Sequence, residues 1–141
     1  MALQPGSLTE EVLAFLREYH LASLTTIRAD GSPHVVPVGF SYDDESRTVR
    51  VITFASSQKY VNALRGGRAV VSQVDGGRWL SLEGTVCGTN DPARVALAVA
   101  GYAARYRQPR PNPERVVVVL DVDRVLGASW PDPLPASPYS S

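Results

Sequence analysis

The chain has 141 residues, 44% of them hydrophobic, enough for one domain with a sizeable core and too few for two ordinary ones. Fourteen Lys and Arg balance fourteen Asp and Glu, so no net field draws the protein onto nucleic acid or an anionic membrane. The single cysteine, Cys87, excludes an intrachain disulfide framework and a self-contained multi-cysteine metal site. No apolar run approaches a membrane span and no basic, apolar leader is recognisable, so the expectation is a cytoplasmic protein with no membrane, nucleic-acid or metal partner.

Met1 to Gly6 reads as frayed, and Ser7, Leu8, Thr9 and Glu10 as a capping box before an amphipathic helix ending near His20. Leu8, Val12, Phe15, Leu16 and Tyr19 form its apolar stripe. His20 lacks a His or Cys partner nearby and reads as a C-terminal helix residue whose charged form the dipole favours. Leu21 to Arg28 is a strand, Ala29 to Ser32 a tight turn, and Pro33 to Tyr42 a second strand, a hairpin signal. In that second strand Pro37 removes a ladder donor and Gly39 a side chain. An edge, a bulge, or a flat ligand against the backbone accounts for both.

Arg47 to Phe54 supplies a third strand, and a short helix runs from Ser57 to about Arg65, stopped by Gly66 and Gly67. The start of this helix is the chain's best candidate site. Free backbone N–H groups, the hydroxyls of Ser56 and Ser57 and the Lys59 ammonium converge there, which suits phosphate or another anion. The same residues also read as a serine-capped helix with one solvated lysine. Ala69 to Val74 and Trp79 to Val86 form a further hairpin through Asp75 to Arg78. Asp91 and Pro92 open a helix through about Tyr106, followed by a Pro-rich loop, Gln108 to Pro113, with Arg107 and Arg110 at its head.

The last strand, Arg115 to Leu126, carries the run Val116 to Leu120, too continuous for one solvated face; a barrel wall or a subunit interface would bury both sides. Beyond it, residues 129–141 form a Pro/Ser-rich tail expected to be disordered. Six short, mostly hairpin-linked strands without long crossover helices predict a mostly β domain over residues 7–128, a small closed barrel with flanking helices.

Four runs carry a resemblance: Leu21 to Phe40, Ser57 to Ala63 (SQKYVNA), Ser72 to Gly84 (SQVDGGRWLSLEG) and Tyr106 to Val118. In this order they resemble the split β-barrel flavin and deazaflavin oxidoreductases related to pyridoxamine phosphate oxidase, in the branch that uses coenzyme F420. The resemblance implies a six-stranded split barrel of the FMN-binding type and a homodimer with cofactor sites between the barrels. It also implies hydride transfer from reduced F420 to a conjugated small molecule, with biliverdin the first candidate and bilirubin its product. It places cofactor-binding roles on His34, Val36, Pro37 and Val38 as the ring wall, on Ser57, Gln58 and Lys59 at the phosphate, and on Arg50, Arg78 and Trp79, the last two reaching the ring from the partner chain.

Arg78, Arg50 and Arg110 are candidates for substrate carboxylates. Arg78 and Trp79 also read as a solvated turn arginine and a core tryptophan. No catalytic residue identifies itself, consistent with chemistry carried by a cofactor. The family commonly has arginine before the lysine where this chain has Gln58, one cation fewer, which favours F420 over FMN. An FMN-dependent oxidase or reductase remains the alternative, with a non-enzymatic F420-, flavin- or haem-binding protein, His20 or His34 serving the haem, behind it.

Overall fold

The computed structural model describes residues 2–128; the tail expected to be disordered, 129–141, lies outside them. In chain order the elements are β1 (Ala2–Leu3), a 3-10 turn (Pro5–Ser7), α1 (Glu10–Arg17), β2 (Ala22–Ile27), β3 (Pro33–Val38), β4 (Ser41–Asp43), β5 (Thr48–Phe54), α2 (Gln58–Leu64), β6 (Arg68–Asp75), β7 (Arg78–Thr89), α3 (Pro92–Arg105) and β8 (Arg115–Gly127).

All strand pairs are antiparallel, in the order β3-β2-β6-β7-β8-β5-β4, with β1 added to β8 through Ala2 opposite Leu126. β3 and β4 stand at opposite ends of this order, yet only Gly39 and Phe40 separate them in the chain. A two-residue link spans no more than about 10 Å. The sheet must therefore roll until its ends meet, which makes it a barrel.

The core fills that barrel. Phe15, Leu16 and Val12 of α1 join Leu24, Val38, Phe40, Val49, Val51, Leu80, Leu82, Val116, Val118 and Leu120 in one buried cluster. Alternate residues of β8, Val117 and Val119, face outward and are buried instead under Ala98 of α3. The unbroken apolar run of β8 thus has the barrel interior on one side and a helix on the other. Between Glu83 and Gly84 the β7–β8 register slips by one residue, a bulge that leaves Asp123 of β8 unpaired in the ladder and bidentate to Arg68.

Five sequence expectations are corrected. The sheet has eight strands where six were expected, the short β1 and the split of the second strand adding two. Ala2 and Leu3 are not frayed but pair with β8, too briefly for any periodicity to show. The N-cap of α1 is Thr9, whose Oγ1 accepts from Val12 N, rather than Ser7. The helix stops at Arg17, because Glu18 turns extended and its carbonyl accepts from Arg105 Nε at 2.8 Å; His20 is therefore not a helix-terminal residue. The strand expected from Pro33 to Tyr42 is two strands, broken at the link that closes the barrel.

Candidate functional site

The two sheet ends are unequal. β4 covers only Thr48 to Arg50 of β5, so Ile52, Thr53 and Phe54 are laddered to β8 alone. β3 pairs only with β2. Along this split lies a groove of about 700 Å³, lined by Pro37, Val38 and Gly39 from one end and Ile52, Thr53 and Phe54 from the other. Lys59 of α2, Tyr102 of α3 and the segment carrying Arg107, Gln108, Pro109, Arg110, Asn112 and Arg115 complete it.

Sequence explains each wall. Pro37 presents no N–H on an edge strand, so a ligand against it leaves no ladder donor orphaned. At Gly39 a Cβ would lie 3.0 Å from the rings of both Tyr102 and Tyr106. The missing side chain thus admits two tyrosines, so the flat-ligand reading is not needed at this position. Tyr106 Oη donates to His20 O at 2.7 Å and accepts from Phe40 N at 3.2 Å, fixing the end of α3 to the barrel link. The following loop is held by an Asn112 turn, with Glu114 N donating to Oδ1 at 2.9 Å, and by Arg115 Nη2 donating to Arg110 O at 2.6 Å.

The groove is electropositive. Its lining includes Lys59, Arg107, Arg110 and Arg115 and no Asp or Glu. Burial lowers the Lys59 pKa from the ordinary lysine value, as for an ammonium partly stripped of water, and among the described residues no carboxylate pairs with it. His34 lies within the field of Lys59 and Arg28; burial first, then these two cations, hold its imidazole below the usual histidine range. Its Nδ1 is buried without a hydrogen-bond partner among the described residues.

Of the expected cofactor residues, the groove brings together Pro37, Val38 and Lys59. Ser57 is 7% exposed; its Oγ accepts from Tyr60 N and from Thr53 Oγ1, the second at 2.9 Å, so it caps α2 rather than facing the groove. Gln58 Nε2 donates to Asn62 Oδ1 at 2.7 Å, and Asn62 bonds Thr26 of β2, the cross-strand neighbour of His34. Val36 packs against the core. Arg50 pairs with Asp43 at 3.4 Å and lines a second, smaller cavity of about 410 Å³ beside Tyr42. Burial pushes the Tyr42 phenol up to about 12.

Arg78 forks onto Glu18 at 3.0 and 2.9 Å, also meets Asp75, and lies 4.6 Å over the Phe15 ring. Half-buried Trp79 follows it on β7, opposite Val74. Glu18, His20 and Asp75 bring ligand atoms within 4.8 Å of one another, but the Arg78 guanidinium already neutralises two of the three. Sequence reasoning missed Arg107, Arg115 and Tyr102 as groove residues: nothing beside the proline-rich loop shows which way the side chains at its two ends turn, and Tyr102 on α3 reads only as part of an apolar helix face.

The pyridoxamine 5'-phosphate oxidase family matches residues 8–128 of the chain. Over 122 residues the chain is 57% identical to the F420H2-dependent biliverdin reductase of Mycobacterium tuberculosis, covering 86% of this chain and 89% of that protein. A solved F420 reductase matches with a TM-score of 0.65 at 25% identity, over 80% of this chain and 94% of its own. The crystal structure of a conserved hypothetical protein from Mycobacterium tuberculosis has a TM-score of 0.72 at 23% identity, covering 94% of both chains, and bears on the fold alone.

Proposed function

The chain belongs to the pyridoxamine 5'-phosphate oxidase family, and from that premise we propose that it is a reductase using reduced coenzyme F420, with biliverdin as substrate and bilirubin as product. The observation that carries this reading is the 57% identity to an F420H2-dependent biliverdin reductase along almost the whole barrel. The groove fits the group such a reaction needs. It offers an apolar wall of Val38, Ile52 and Phe54 for a flat ring, beside a lysine without a counter-ion for phosphate. When bound, the deazaflavin supplies a hydride from C5 to the central methine carbon of the substrate, a proton completing the reduction.

The chain's own residues bind, orient and exclude water. Lys59 holds the cofactor's anion; Pro37 and Val38 give the ring a wall with few competing donors; the loop from Gln108 to Asn112 lines the groove beside them. His34 lies on the same strand, its imidazole held below the usual histidine range by burial. Arg50, Ser57, Gln58, Arg78 and Trp79 act, in this reading, through the supports already described or from a partner chain.

We propose further that the protein is a homodimer with its grooves at the interface. Phe54 in the groove wall, Val35 on β3 and Val61 and Leu64 on α2 are 47%, 59%, 43% and 59% exposed, apolar surface that a second copy would cover. Fluorescence titration with oxidised F420 beside FMN, then following F420H2 oxidation on adding biliverdin, tests the function. Saturable preference for F420 and biliverdin-dependent turnover are expected. Preference for FMN would move the chain to flavin chemistry, and a monomer in sedimentation equilibrium would refute the shared groove.

A further inference from the structure

We infer that Arg107 and Arg110 select the substrate by its carboxylates, so that the groove is specific for conjugated molecules carrying acidic side arms. This rests on the groove being the place of reduction and assigns it a recognition element.

Three arginines line the groove, Arg107, Arg110 and Arg115, and the other arginines expected to meet a ligand are held by partners. Arg78 is held by Glu18 and Asp75, and Arg50 by Asp43. The three donor nitrogens of Arg105 reach Glu18 O, Phe40 O and Gln73 Oε1 at 2.6 to 2.9 Å. Arg115 ties down its own loop through Arg110 O. Arg107 and Arg110 are left: both are exposed, both line the groove, and among the described residues neither side chain meets a carboxylate.

Their backbone is preorganised. Pro109, Pro111 and Pro113 restrict φ, Asn112 closes a turn, and the Arg115 bond anchors the Arg110 carbonyl. Planar forks on a stiff loop suit carboxylates, which each guanidinium can take in two parallel bonds. Lys59, on a different element, is a compact ammonium that takes a phosphate as a point charge. The cations come from two separate elements, and in this inference the phosphate goes to Lys59 on α2 and the carboxylates to the loop.

The test compares biliverdin with its dimethyl ester, binding each to the protein without cofactor by the change in tetrapyrrole absorbance. Wild type, Arg107→Gln, Arg110→Gln and the double variant are used, with F420 affinity measured beside them. Wild type should prefer the free acid. Each single substitution should weaken biliverdin binding about fivefold and the pair at least about tenfold. Ester binding and F420 affinity should stay within about twofold, and Arg110→Lys should restore part of the loss. Retention of acid preference by the double variant overturns the inference. So does an F420 affinity weakened tenfold with that preference intact, which would give the loop to the cofactor. Acid-selective binding that depends on both arginines in a protein that fails to bind F420 would sustain the inference and strike only the redox reading.

Discussion

Replacing Arg105 with methionine keeps the aliphatic stem and removes three donors at once. Its nitrogens donate to Glu18 O at 2.8 Å, Phe40 O at 2.9 Å and Gln73 Oε1 at 2.6 Å, and the guanidinium lies 4.5 Å over the Phe40 ring. Gln73 is 1% exposed and its Nε2 is committed to Phe15 O, so its freed oxygen cannot turn to water. That unsatisfied acceptor costs about 2 kcal/mol. The two backbone carbonyls, each losing one accepted bond, add about 0.5 kcal/mol each, for a total of about 3 kcal/mol. At this chain length the loss corresponds to about 10 °C in Tm. Urea denaturation should show a lower midpoint at unchanged slope. Arg105→Lys, which reaches one acceptor where arginine reaches three, should recover less than half. The doubly substituted Gln73→Leu, Arg105→Met protein should lose less than the two single losses added, since no orphaned oxygen remains. A loss below about 1 kcal/mol for Arg105→Met would refute the assignment of this guanidinium as the clasp of the barrel link.

Lys59→Ala should raise the F420 dissociation constant about tenfold or more and change kcat less, as expected of a phosphate contact remote from the reacting carbon. Because burial lowers the Lys59 pKa, wild-type F420 affinity should fall with rising pH before an ordinary lysine would titrate. Lys59→Arg should flatten that fall, its guanidinium staying charged. Gly84→Ala should destabilise the fold by about 3 kcal/mol or more, measured by urea, because its Cβ would fall on the Asp121 carbonyl at the β7–β8 bulge. Arg78 hydrogen bonding, first among its causes, lowers the Glu18 pKa. The unfolded chain therefore binds the proton more readily, and this contribution is present above the ordinary glutamate range and lost as pH falls from there through the lowered folded-state value. Glu18→Gln should accordingly flatten the acid limb of the stability profile below about pH 5, seen in Tm at successive pH values.

The barrel was legible where a local pattern repeats. Hairpin turns marked β2–β3 and β6–β7, and the doubly buried run Val116 to Leu120 announced a wall covered on both faces. What escaped was decided at a distance. Nothing near Arg17 stops a helix; α1 ends because Glu18 is held by Arg105 and Arg78, 87 and 60 residues away. The site divides in the same way. Lys59 was found from its local setting at a helix start and does line the groove, but Ser57 two positions earlier turns inward to its cap. Local sequence distinguishes a helix start from a strand; it does not say which of two neighbouring side chains faces the cleft.

The split itself explains why a groove lies here. A barrel closed by full ladders has no free edge and offers a flat ligand no backbone to lie against. This chain closes its barrel covalently, through Gly39 and Phe40, while β4 is too short to follow β5 past Arg50. The far ends of β3 and β5 are left as facing edges, a liability for aggregation if bare. Pro33 and Pro37 on β3 blunt one edge by removing donors. The loop carrying Arg107 and Arg110 lies against the groove between them and adds charge. The features that protect the edges from a stray strand are thus the ones that make the cleft receptive to a flat, anionic ring: few unsatisfied donors on its wall and uncompensated positive charge at its mouth.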